Sequence, residues 1–370
     1  MSRRRLEWAQ AALVFAWACN PPGGTAERRA DLARGEGPLR IGVSYDHRAG
    51  ARFGRAVEVA RAQLGDRVGG IEIAVRDDQG QARRARENAQ RFAEDLGVTA
   101  VIGHPAAPTA DATAAMYEFH GLTFLTPARG PAEMSRAGFR HGFRVRPSAE
   151  GYGELLAEAA AARGWTRVLA LFSNDDQGRA LVNAFERRGE RLNLRLVARV
   201  GHVPGALEAT RFALQGGREL AHDAALVAAT GALGEEMTQL LHDSGWRGPV
   251  LGVGGSAEGS TLADSHPRVL VALDPSTPDG AVREAARDFE NAVGEVDVEV
   301  ALAFDALWAL VSAVERAGSR DPGAVSAALR GLEGVEGFTG ALQFDARGRR
   351  MGGRLLANEV GADPEASTEP

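Results

Sequence analysis

The chain has 370 residues, 44% of them hydrophobic, with 43 arginines, no lysine and 49 acids, giving a net charge of -6. An acidic balance with no basic cluster in the body of the chain argues against a nucleic-acid binder. A single cysteine, Cys19, excludes a disulfide framework and a cysteine-ligated metal, so stability rests on packed cores, for which the length allows two lobes.

At the N-terminus, Arg3, Arg4 and Arg5 precede an apolar segment from Leu6 to Ala18 that is too short to span a hydrocarbon core of about 30 Å. Residues 1–19 read as a signal peptide. Its end, Phe15-Ala16-Trp17-Ala18-Cys19, resembles a bacterial lipobox, with Trp17 and Ala16 departing from the usual residues. That resemblance makes Cys19 the lipidation site; a plain secretory signal with an incidental cysteine is the alternative. Residues 20–37 are rich in Pro, Gly and charge and read as a flexible tether.

From Leu39 onward, apolar runs bounded by turn residues alternate with alanine-rich amphipathic stretches, the pattern of parallel sheets covered by helices. Strands are expected over 39–44, 71–76, 100–103, 123–126, 167–172, 195–200, 224–228, 250–253 and 268–273. Helices are expected near 51–64, 80–96, 108–119, 131–137, 149–163, 177–191, 205–216 and 234–244. In the second of these, Ala82, Ala85, Ala89, Phe92, Ala93 and Leu96 fall at three- and four-residue spacings, with arginines and acids facing away. A second strand–helix series begins after Arg146-Pro147 and places a boundary near residue 146. Two further helices, near 281–293 and 297–317, break the alternation.

Catalytic patterns find little support. Gly252-Val253-Gly254-Gly255-Ser256-Ala257 matches a dinucleotide fingerprint, with Asp274 some twenty residues on, but Gly259, Ser260, His266 and Pro267 leave little helix to receive a pyrophosphate. The eight histidines form no metal-binding pair, and no Gly-x-Ser-x-Gly elbow is present. Asp77-Asp78 and Asp175-Asp176 each follow a strand and precede a helix, where loop capping accounts for them better than acid–base catalysis. The expectation is a non-enzyme without cofactor or metal.

Seven segments in order carry a resemblance: Ile71 to Asp78, Val101-Ile102-Gly103-His104, Gly121 to Ala128, Phe143-Arg144-Val145-Arg146-Pro147, Asn174 to Gly178, Phe304-Asp305-Ala306-Leu307, and Phe338-Thr339-Gly340 with Phe344 to Gly348. Over about residues 38–350 the chain resembles the type I periplasmic solute-binding proteins, especially the branched-chain amino acid receptors of ABC importers. The resemblance implies an α/β fold of two lobes, each a parallel sheet flanked by helices, joined by three hinge crossovers with the ligand between them. Lobe 1 is expected to take 38–145 and 274–337, lobe 2 146–273 and 338–362, with 363–370 a disordered tail.

The resemblance also assigns a cleft. The family's carboxylate-binding serine falls on Ala107, leaving Thr109 as the loop's side-chain hydroxyl beside a helix N-terminus. The second carboxylate loop reads Ala128-Arg129-Gly130, where Gly130 replaces a threonine and Arg129 offers a bidentate grip on an anion. The family's ammonium-binding acid and its aromatic partner fall near Thr230 and Ser256, with Glu258 the nearest acid, while Tyr45, Phe53 and Tyr152 offer aromatic walls. An unpaired desolvated ammonium costs several kcal/mol, about 1.4 kcal/mol being tenfold in affinity, so a standard amino acid fits poorly. The implied partners are a small polar ligand (amino acid-like, amide or carboxylate), an ABC permease or membrane sensor, and the membrane through a lipid anchor, with no nucleic acid. The alternative is a sensory or scaffolding module of the same fold with a degenerate cleft.

Overall fold

The computed structural model describes residues 32–35, 37–128, 138–229, 231–254 and 268–360. The first half runs β1 (Leu39–Tyr45), α1 (Ala51–Leu64), β2 (Ile71–Asp77), α2 (Ala82–Glu94), β3 (Ala100–Gly103), α3 (Ala107–His120), β4 (Thr123–Thr126) and β5 (Gly142–Pro147). A second series follows: α4 (Ala149–Ala162), β6 (Arg167–Ser173), α5 (Asp176–Arg191), β7 (Arg195–His202), α6 (Leu207–Arg218), β8 (Ala224–Ala228), α7 (Gly231–Asp243), β9 (Val250–Val253) and β10 (Arg268–Leu273). The remainder is α8 (Arg283–Val293), α9 (Val298–Ala317), α10 (Pro322–Arg330), the short β11 (Glu336–Gly337), β12 (Gly340–Ala341) and β13 (Arg349–Arg350), then β14 (Leu355–Val360).

Two six-stranded sheets result, β13-β5-β4-β3-β1-β2 and β14-β10-β9-β8-β6-β7. Every pairing within them is parallel except β10 with β14. The two strand–helix series thus fold alike: in each, the second strand lies on one side of the first and the third on the other. A crevice opens where the order reverses, outside the carboxyl ends of the strands. That reversal falls between β1 and β3 in one lobe and between β6 and β8 in the other.

Burial follows the local pattern. β3, β4 and β8 are buried along their whole length, as short apolar runs covered on both faces should be. α2 buries Ala85, Asn88, Ala89 and Phe92, one stripe of an otherwise charged helix. α9 is apolar all round and lies inside the first lobe, buried from Val300 through Leu307 and again from Ala309 through Val314. Asp297 starts it by accepting the Val300 amide at 2.8 Å, and Gly318 ends it in a left-handed conformation.

The chain crosses between the sheets after β5, after β10 and between β13 and β14. The last of these corrects the expected division, which assigned 338–362 as a whole to lobe 2. β13 pairs with β5, Phe344 packs on Phe143, and Arg350 pairs with Asp305 of α9, so 338–350 belongs with the first sheet. Only β14 joins the second. Residues 32–35, expected within a flexible tether, are docked: the Leu32 carbonyl accepts the Arg320 amide at 2.7 Å, and the Arg320 guanidinium bonds the Gly35 carbonyl. The leader with Cys19, the helix expected over 131–137 and the tail 363–370 lie outside the described residues. Among the described residues no helix is long and apolar enough to cross a membrane.

Candidate functional site

Two adjoining cavities lie at the carboxyl ends of the strands. The first, of about 220 Å³, is lined on the second lobe by Ser173, Asp175, Gln177, Ala228, Ala229 and Val253, which end β6, β8 and β9 or follow them. Leu181 and Leu233 of the helices that follow add apolar wall. The opposite side carries Ala128 after β4 and the β5 residues Arg144, Arg146 and Pro147, while Tyr152 of α4, the helix that packs on α5, adds to the second lobe's wall. The second cavity, of about 330 Å³, is bounded by Pro105-Ala106-Ala107, Pro127, Arg146 and the 297–299 segment that opens α9. Arg146 lines both.

Local chemistry builds each wall. Asp175 caps α5: one carboxylate oxygen accepts the Gly178 amide at 2.8 Å and the Ser173 hydroxyl at 3.2 Å. Gly178 makes this approach possible, since a Cβ there would lie 2.1 Å from the Ser173 carbonyl oxygen. The N-terminus of a 16-residue helix is thereby brought to the edge of the cavity, where its dipole favours negative charge.

On β5 the pleat separates two pairs. Phe143 and Val145 are fully buried in the main core, and the alternation turns Arg144 and Arg146 to the other face. Arg146 donates from Nε to the Pro127 carbonyl at 3.2 Å, tying the strand to the loop after β4. Arg144 is buried beside Arg349, Glu150 and Asp345. Burial, and then the charge of Arg349, pull its guanidinium below the usual arginine range against the opposing pull of the two acids.

Behind the 105–107 loop lies a buried polar chain. His104, with φ of 50°, holds its Nδ1 2.8 Å from Asp78 and its Nε2 3.0 Å from the Tyr117 hydroxyl, and its amide donates to the Ser44 carbonyl at 2.7 Å. Tyr117 is held well above the usual tyrosine range by burial and then by the Asp78 charge. His104 is thus a fully satisfied interior residue at the start of the loop.

The residues singled out from sequence divide as follows. Ala128 and Tyr152 meet in the first cavity, and Ala107 lines the second. Two placements are corrected by burial. Phe53 is fully buried in the core under β1 instead of forming a cleft wall. Thr109 is 1% exposed, and its hydroxyl is engaged with the Ala106 carbonyl at 2.9 Å, inside the first turn of α3. Tyr45 lines neither cavity: its ring lies against His47 and Phe53, and its hydroxyl sits over Gly54. Arg129, Gly130, Thr230, Ser256 and Glu258 lie outside the described residues. Sequence reasoning missed Arg144, Arg146, Ser173, Asp175 and Gln177 as lining residues, although the Phe143 to Pro147 and Asn174 to Gly178 segments that carry them were already in view.

Known proteins share this fold. A family model described as periplasmic binding protein matches residues 38–363. The leucine-, isoleucine-, valine-, threonine- and alanine-binding protein of Pseudomonas aeruginosa is 24% identical over 307 residues, 81% of each chain. A solved ABC transporter substrate-binding protein from Desulfitobacterium hafniense, in complex with Leu, is 25% identical with a TM-score of 0.70 over 87% of this chain and 98% of its own. A solute-binding protein of an ABC transporter from Rhodopseudomonas palustris, in complex with 3,4-dihydroxy benzoic acid, shares the fold at 17% identity and a TM-score of 0.62, over 84% of this chain and 90% of its own. The chain belongs to the periplasmic binding protein family, in its type I branch of branched-chain amino acid receptors, and is a two-lobed substrate-binding protein of the ABC-transporter kind, not an enzyme.

Proposed function

We propose that this protein captures a small polar solute, amino acid-like, amide or carboxylate, between its lobes outside the cytoplasm and presents the closed form to an ABC permease or a membrane sensor. The observation that carries this reading is a cavity at the strand-order reversal of the second sheet, completed by β5 and the residue after β4 from the other side. The relatives solved with Leu and with 3,4-dihydroxy benzoic acid support a solute of this size. Arg129, Gly130, Thr230, Ser256 and Glu258 remain proposed cleft residues, and Cys19 the proposed lipid anchor.

A thermal-shift screen of the purified protein against amino acids, amides, carboxylates and nucleotides tests the reading. A ligand at about 100 times its dissociation constant adds about 2.7 kcal/mol, a rise of several degrees in Tm. Silence across the panel favours the second reading, a degenerate cleft serving as a sensory or scaffolding surface. The observation behind that reading is the methyl of Ala107 at the family's serine position and the engaged hydroxyl of Thr109. For the anchor, Cys19→Ser is expected to release the protein from the membrane fraction; continued membrane association would reject lipidation as the cause.

A further inference from the structure

We propose that His104 is a positioning residue for the first lobe's side of the cleft: a buried hydrogen-bond chain through Asp78, His104, Thr126 and Ala128 sets the 105–107 loop and the Pro127-Ala128 turn together. The proposal rests on the reading that the cleft takes up a solute, and it names what holds one wall in place.

The backbone is the first argument. His104 has a φ of 50°, a left-handed conformation that non-glycine residues rarely adopt, and it follows Gly103, where a Cβ would lie 2.2 Å from the Ser44 carbonyl oxygen. The chain thus turns sharply at the end of β3, and Pro105-Ala106-Ala107 leave that turn to bound the second cavity. Such a conformation persists where its surroundings over-determine it. Here the His104 amide donates to the Ser44 carbonyl of β1 at 2.7 Å, and the His104 carbonyl accepts the Thr126 hydroxyl of β4 at 3.1 Å. The same hydroxyl oxygen accepts the Ala128 amide at 3.1 Å, and Pro127 and Ala128 line the second and first cavities. The main chain of one residue therefore connects both stretches of wall.

The side chain is the second argument. A carboxylate at Asp78 only accepts, so His104 carries its proton on Nδ1, and Nε2 is left to accept the Tyr117 hydroxyl. Burial, and then the Asp78 charge, hold that hydroxyl well above the usual tyrosine range, so it keeps the proton it donates. Tyr117 belongs to α3, which begins at Ala107, and the bond ties the loop's own helix back to the histidine. Asp78, His104 and Tyr117 are all buried, and a buried polar chain whose members are all paired selects one arrangement.

The test is residue-resolved hydrogen exchange on the full-length protein without ligand, joined to calorimetry with the solutes that register in the thermal-shift screen. Two amides report: Ala128, on the Thr126 hydroxyl, and Ala110, on the Ala106 carbonyl at 3.0 Å. Slow exchange at Ala128 is expected in the natural protein although it lies beyond the strand end; fast exchange there overturns the proposal without any variant. Tyr117→Phe keeps the ring against Phe124, 4.6 Å between centroids, and removes only the hydroxyl. It is expected to speed exchange at both amides about tenfold or more while α9 keeps its rates, and to weaken solute binding about fivefold or more. His104→Asn, which tolerates the left-handed turn but is too short to bridge Asp78 and Tyr117, is expected to do the same. Unchanged exchange at the two amides in Tyr117→Phe, an equal acceleration throughout the lobe, or an unchanged affinity each overturns the positioning role and leaves solute capture standing. No binding by any solute of the screen overturns both.

Discussion

Asp305 and Arg350 are fully buried, and the guanidinium is satisfied throughout: it donates to the carbonyls of Val145, Thr339, Gly340 and Ala341, to the Thr339 hydroxyl, and to Asp305 at 3.1 Å. Burial pulls Arg350 below the usual arginine range, and the charge of Asp305 opposes that pull. The pair fastens the 338–350 segment to α9. Asp305→Asn leaves a buried cation without its counter-charge and is expected to cost about 3–5 kcal/mol in urea denaturation; a loss under about 1 kcal/mol would mean the carbonyls alone hold the segment. Gly178→Ala acts on the cleft instead. Its methyl would collide with the Ser173 carbonyl, so α5 must shift, at about 1–3 kcal/mol and with weaker binding of any cleft ligand in calorimetry. Unchanged affinity would separate the start of α5 from the site.

The turn that leads into β13 is held by Asp345. One of its oxygens accepts the amides of Arg347 at 2.9 Å and Arg349 at 2.8 Å, the other pairs with the Arg349 guanidinium at 2.7 Å, and Arg349 reaches Glu150 of α4 at 2.7 Å. Burial alone would raise the carboxyl, but the amide and guanidinium of Arg349 and the amide of Arg347 outweigh it and hold the group below the usual carboxylate range. A depressed folded value means that the stabilisation is complete above the unfolded pKa of about 3.9 and is lost as pH falls through the folded value. Stability is therefore expected to decline below about pH 4, and Asp345→Asn to lose less than the natural protein between pH 5 and pH 2 in denaturant melts. An identical decline in both would assign the acid sensitivity to other carboxylates.

Two lobes of the same strand order, joined by three crossovers, make a hinge whose segments are in contact. The Ser148 amide donates to Arg350, the Asp274 amide donates to Arg354, and the Arg354 guanidinium pairs with Asp274 at 2.7 Å. Rotation about such a waist leaves each lobe intact, and a ligand favours closure only by binding the closed form better. Saturation with a cleft ligand is expected to lower the radius of gyration in solution scattering without changing secondary structure; an unchanged radius would mean that binding does not close the lobes.

The α/β class and nine strands were legible because apolar runs and helical spacings are local signals, and the order of seven weak segments carried the two-lobed plan. The sequence expectation contains no strand over 142–147 or 355–360. In the first, Arg144 and Arg146 interrupt the apolar run; the second is an edge strand whose Leu356 is exposed. Phe53 reads as a possible cleft wall until α1 packs it under β1, and 338–350 reads as lobe 2 until Asp305, some thirty residues earlier, claims it. Arg146 illustrates the division most plainly. Strand alternation fixes which face it shares with Arg144, but only the reversal of strand order and the return of the second lobe turn that face into the wall of a cleft. Periodicity is written along the chain, whereas the partners of a face come from residues distant in sequence.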